Sequence, residues 1–141
     1  MMKRAVVAFL CVVGFAAPSA AVPGRVGYIV DGDTFSGIVK LDGDIEVSVR
    51  VRLRDIDTPE IHGECEYERK MAARARDKLA ELIPPGSVVE LSNIKDDKYL
   101  GRIDANVRNS RGVDVSAQMI RTGLARRYSG GKRKPWCGNR G

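Results

Sequence analysis

Polar and apolar residues alternate without interruption from Ile45 to Leu53. Ile45, Val47, Val49, Val51 and Leu53 fall on one side, and Glu46, Ser48, Arg50, Arg52 and Arg54 on the other or just beyond it. A period of two predicts a strand with one buried face, and its polar face lines up three arginines. The phase slips at Asp55-Ile56, which predicts a strand end or bulge that re-aims Asp57 relative to those arginines. Upstream, Val26 to Val30 is a short apolar strand, Asp31-Gly32-Asp33 a tight turn, and Thr34 to Leu41 a second strand. Asp42-Gly43-Asp44 is the hairpin signal that joins it to the alternating run.

Downstream the period changes. Tyr67, Met71, Ala75, Leu79 and Leu82 or Ile83 recur at helical spacing. Glu64, Glu66 and Glu68 crowd the start of this helix, and Arg74, Arg76 and Lys78 follow, an order that suits the helix dipole. Pro84-Pro85-Gly86 stops it. Val88 to Leu91 and Arg102 to Val107 read as two more strands, with a turn over 108–112. Val115, Met119 and Ile120 mark a short helix ended by Gly123. Leu124-Ala125 is expected to pack back on the core. The remainder reads as irregular, with Trp136 as an anchor beside Cys137. Five strands with a helix after the third suggest a small barrel, mainly β with α.

The 141 residues suffice for one domain, read here as 22–141 with a basic tail from about residue 126. Residues 1–21 have the form of a signal peptide. Lys3 and Arg4 precede an apolar run from Ala5 to Ala17, too short for a comfortable membrane span, and Ser19-Ala20-Ala21 offers small residues for cleavage. The expectation is export to the periplasm or the medium, with an uncleaved anchor as the alternative. Cleavage would lower the net charge from +6 to +4. From Arg121 onward there are seven basic residues and no acid, a tail suited to polyanions or, alternatively, to solubility. Cys65 and Cys137 remain after cleavage, and an even count in an exported chain suggests a disulfide; two free thiols or a metal pair are the alternatives.

Two acidic clusters flank the arginine-bearing strand: Asp31-Gly32-Asp33-Thr34 before it and Asp55-Ile56-Asp57-Thr58-Pro59-Glu60 after it. Carboxylates beside guanidinium groups can hold a hard cation and a phosphate together. Asp33, then Arg52-Leu53, Asp57-Thr58-Pro59-Glu60, Lys98-Tyr99-Leu100-Gly101-Arg102 and Gly123-Leu124-Ala125 come in an order that resembles the staphylococcal nuclease-like (thermonuclease) family over roughly residues 24–128. Leu100 is an extra residue relative to the family's Tyr-Gly-Arg, and Tyr128 stands one residue out of step with the family's tyrosine.

The resemblance implies an OB-fold, a five-stranded Greek-key barrel with two to three helices. It implies Ca2+ held by Asp33, Asp57 and the Thr58 carbonyl, with Asp31 behind them. It makes Glu60 the general base or water-orienting group and Arg52 and Arg102 the catalytic arginines. Lys98, Tyr99 and Tyr128 are candidates for substrate binding. The implied activity is a calcium-dependent, monomeric nuclease of DNA and RNA, favouring single strands and leaving 3′-phosphates. The rival reading is a non-catalytic OB-fold module that binds nucleic acid or another polyanion. Such a binder has no use for carboxylates that repel phosphate, and Asp33, Asp57 and Glu60 are all present. His62, the one histidine, reads as a loop residue.

Overall fold

The computed structural model describes residues 13–15 and 21–138. The residues on which the signal-peptide reading mainly rests, including Lys3, Arg4 and Ser19-Ala20, lie outside them, as does Arg140. Among the described residues no helix is long and apolar enough to cross a membrane.

The elements are β1 (Val22–Asp31), β2 (Thr34–Lys40), β3 (Glu46–Leu53), β4 (Ile56–Asp57), α1 (Glu66–Leu82), β5 (Val88–Asp96), β6 (Arg102–Arg108), α2 (Val115–Arg121) and β7 (Arg126–Arg127). Five strands close a barrel in the order β1-β2-β3-β6-β5, with β1 also paired to β5. All of these pairs are antiparallel except β3 with β6. Closure leaves the barrel strands no long free edge. With its two helices this is the OB-fold expected from the sequence.

The alternation in β3 holds, but its burial is graded. Val51 and Leu53 are fully buried, Val47 and Val49 only partly, and Ile45 is exposed. The pairings explain this. β2 runs beside β3 along its whole length, whereas β6 joins only from Arg50 onward, so the first half of β3 projects past the closed part of the barrel. The hairpin turn at Asp42–Asp44 is a single 3-10 turn with Gly43 and Asp44 both at positive φ.

Helix α1 corrects the predicted buried face. Ala75, Leu79, Leu82 and Ile83 face the core as expected, but at its start Glu68 and Ala72 are buried while Tyr67 is exposed and Met71 only half-buried. Glu68 is there because it has work for both carboxylate oxygens: Oε1 accepts from Glu60 N (3.2 Å) and Oε2 from Glu64 N (3.1 Å). A Cβ on Gly63 would lie 2.5 Å from that side chain, so only glycine leaves it room. Residues 126–127, read as irregular, form β7, which pairs antiparallel with β4: Ile56 with Arg127 and Asp57 with Arg126.

A carboxylate cluster under a folded-back tail

The β1–β2 turn brings Asp31 and Asp33 to the barrel's surface beside α1. Gly32 sits so close that a Cβ there would lie 2.7 Å from Ala75 Cβ and 3.2 Å from Thr58, so the turn is seated on the helix and on the 57–60 loop together. Asp33 is 6% exposed and Asp57 3%. Asp33 N donates to Asp31 Oδ1 (3.1 Å), and Thr34 Oγ1 donates to Asp33 Oδ1 (2.8 Å). Burial, then the adjacent Asp33 carboxylate, push the Asp31 carboxyl up to about 7. Acids crowded in this way are short of positive charge.

Arg52 supplies part of it. Its Nη2 stands 3.6 Å from Asp33 Oδ2 and donates to Ile56 O (3.3 Å). In the parallel β3–β6 ladder Arg50 pairs with Arg102 and Arg52 with Asp104, so Arg52 and Arg102 share the outer face of neighbouring strands. Arg102 is bound to Asp97 through Nε (2.5 Å) and lies over the Tyr99 ring at 4.4 Å, with Lys98 on the same ring at 5.1 Å. The extra residue Leu100 is fully exposed at the tip of the 97–101 turn, with Gly101 at φ +74° and Arg102 N bonded to Tyr99 O. Arg102 opens β6 and pairs there with Arg50.

The tail reaches the same place. Cys65, the residue capping α1, is bonded to Cys137. The bridge draws 129–137 across the carboxylates. Asp57 Oδ2 accepts from Trp136 Nε1 (3.1 Å) and Arg126 Nη2 (3.3 Å). Arg133 Nη1 donates to Glu60 Oε1, and its Nε stands 3.5 Å from Asp57 Oδ1. Burial opposes the charge on Arg133, but Asp57, Glu60 and Asp33 outweigh it and raise its pKa. Two guanidinium groups approach the Tyr128 ring, Arg52 at 6.0 Å and Arg133 at 5.8 Å from its centre. Asp57 Oδ1 is buried and accepts no hydrogen bond among the described residues.

A family model described as staphylococcal nuclease homologue matches residues 50–136, more than half of the chain. The chain belongs to that family. No curated protein matches it closely enough to be named beside it. The family is one of nucleases and nucleic-acid-binding domains, which agrees with the arginine-bearing face of this staphylococcal nuclease homologue.

Asp31, Asp33, Asp57 and Glu60 offer only oxygen, the donor type a hard divalent cation takes, and Asp57 Oδ1 is a buried acceptor with no hydrogen bond among the described residues. The acids are not drawn together as a ligand cluster: among the described residues the three groups whose ligand atoms lie within 4.8 Å of one another are Cys65, Glu68 and Cys137, two of which form the disulfide. Of the residues singled out in the sequence, Asp31, Asp33, Asp57, Thr58, Glu60, Arg52 and Tyr128 gather at one site. Lys98, Tyr99 and Arg102 form a second group at the 97–101 turn and the start of β6. His62 is exposed on the loop, as expected. Sequence reasoning did not single out Glu68, Arg126 and Arg133 for the site. Their signal is weak: a charged residue on an otherwise apolar helix face, and two arginines in a glycine-rich tail whose cysteine has a partner far upstream.

Proposed function

We propose that this staphylococcal nuclease homologue is an exported, calcium-dependent nuclease acting on single-stranded DNA or RNA. The observation that carries the reading is the convergence of Asp33, Asp57 and Glu60 with Arg52 at one place on the barrel. Asp33 and Asp57 would hold the cation, with the Thr58 carbonyl completing the face and Asp31 braced against the Asp33 amide. Calcium bound there supplies positive charge to a phosphoryl oxygen and a fixed place for water.

The chain's own residues do the rest. Glu60 takes a proton from the attacking water at its carboxylate. The water oxygen bonds to phosphorus, the bond from phosphorus to the 5′ oxygen breaks, that oxygen takes up a proton from solvent water, and the products are a 3′-phosphate and a 5′-hydroxyl. Arg52 and Arg102 hold the non-bridging oxygens as charge grows on them; by analogy with oxyanion donors each is worth about 3 kcal/mol. Lys98, Tyr99 and Tyr128 offer a base-stacking and phosphate-binding surface that is indifferent to sequence. The disulfide supports the export part of this reading, because such bonds persist in oxidising compartments.

A second reading, a nucleic-acid-binding module without catalysis, is favoured by one observation: Arg102 is occupied by Asp97, and Glu60 by Arg133. One experiment separates the two. Labelled single-stranded DNA is incubated with the protein, with calcium or with a chelator, alongside Glu60→Gln and Arg102→Ala. Calcium-dependent degradation that falls at least a hundredfold in both variants is the expected result. Binding without cleavage at any calcium concentration would leave the module.

A further inference from the structure

Arg133 occupies the side of the carboxylate cluster where the metal reading needs open oxygens. Its Nη1 is on Glu60 Oε1 and its Nε faces Asp57 Oδ1 at 3.5 Å. The placement is built from both directions. On one side Tyr128 is fixed by its amide on Asp55 O (3.0 Å), and its hydroxyl donates to Gly131 O (2.5 Å). On the other, Arg126 donates to Lys134 O (2.6 Å) and Pro135 O (3.2 Å) and stacks on Trp136 at 3.7 Å, and Cys137 is bonded to Cys65. Few residues separate these anchors, so the guanidinium is delivered to the acids by the path of the chain.

Asp57 divides its two oxygens between different tasks. Oδ2 is taken by Trp136 and Arg126, which hold the tail down. Oδ1 accepts no hydrogen bond among the described residues, and the charged group facing it is Arg133, whose Nε stands 3.5 Å away. A divalent cation bound at Oδ1 would stand where that charge now acts, and like charges at such separations repel strongly. Arg126 and Trp136 can stay while Arg133, 42% exposed along its side chain, swings out.

We propose that Arg133 is a built-in counter-cation of the carboxylate site, which a divalent cation must displace from Asp57 Oδ1 and Glu60, so that the tail sets how tightly the site binds metal. This rests on the metal reading given under the proposed function. It makes Arg133 a positioning residue: in the absence of metal it keeps the acids neutralised and Glu60 engaged, and metal binding frees Glu60 for water.

The test is calcium titration by calorimetry on the disulfide-bonded protein, its Arg133→Gln variant and its Arg133→Lys variant, with melting curves of each with and without calcium. Arg133→Gln is expected to bind calcium about tenfold more tightly at low ionic strength. It is expected to melt below the wild type without metal and to show the larger upward shift with it. Arg133→Lys, which keeps the charge, should stay close to the wild type. Clear calcium binding by the wild type with equal or weaker binding by Arg133→Gln overturns the inference and leaves the metal reading standing. No calcium heat and no melting shift in any of the three overturns both.

Discussion

Trp136 Nε1 donates to Asp57 Oδ2 at 3.1 Å, across 79 residues of sequence. The indole therefore ties the tail to a buried acid of the barrel, while its face carries Arg126. Trp136→Phe keeps an aromatic face and removes the donor. Hydrogen bonds to charged groups contribute about 1.5–3 kcal/mol, so urea denaturation should show a loss in that range. A loss confined to the thermal behaviour of the tail, with no change in the global midpoint, would mean that the bond holds the tail alone.

Glu68 leads to a prediction about the Glu60 loop. Its carboxylate accepts from two backbone amides, at Glu60 and Glu64, from a buried position on α1. Glu68→Gln turns one acceptor into a donor that faces an amide hydrogen. A buried donor left without a partner costs about 1–3 kcal/mol. Denaturation should report that loss. Nuclease activity should fall with it although Glu68 is not placed at the reacting atoms, because the backbone of Glu60 loses its anchor.

Asp104 provides a pH dependence. Burial, and then the neighbouring Asp97, raise its pKa above the ordinary carboxylate value, and its Oδ1 has no hydrogen-bond partner among the described residues. A raised carboxyl means that the folded state holds this proton more tightly than the unfolded chain. Its contribution to stability is intact below the unfolded pKa and is lost as pH rises through the folded one. Asp104→Asn removes that loss. Melting temperature should rise in the variant at neutral pH and approach the wild type near pH 3, where the Asp104 carboxyl is largely protonated in the folded and the unfolded chain alike.

The 97–101 turn can be tested by two neighbouring substitutions. Leu100 is fully exposed, so Leu100→Ala should change stability by no more than about 0.5 kcal/mol. Gly101 has φ +74°, a conformation that L side chains resist, so Gly101→Ala should cost about 1–2 kcal/mol. A large loss in the first variant would show that the extra residue is part of the packing.

What could be read in the sequence follows the range of the interactions. The arginine face of β3 is a local, period-two pattern, and the strand appears where the pattern places it. The family resemblance brings Asp33 and Asp57 together, and their local settings agree with it: Asp33 lies in a tight turn and Asp57 ends a strand. The helix phase was misread at Tyr67 and Met71 because apolar character is a poor guide where a buried acid satisfies two amides. β7 has two residues, too few for any period. Arg133 reaches Glu60 across 73 residues, through a bridge whose pairing was expected but whose geometric effect on the tail was not. Non-local contacts between polar residues leave almost no trace in local composition.

Arg52 and Arg102 stand on β3 and β6, the one parallel pair in the barrel. A parallel pair needs a crossover, and here it includes α1 and β5. The two arginines therefore come onto one face only when contacts far apart in sequence have formed, a slow class of folding event. A chain still emerging from synthesis, with β3 complete and β6 absent, carries half of the arginine face and has no means of assembling the other half. The β3–β6 pairing that completes the face is also one of the pairings on which barrel closure depends, so the fold itself determines when the two guanidinium groups first act together.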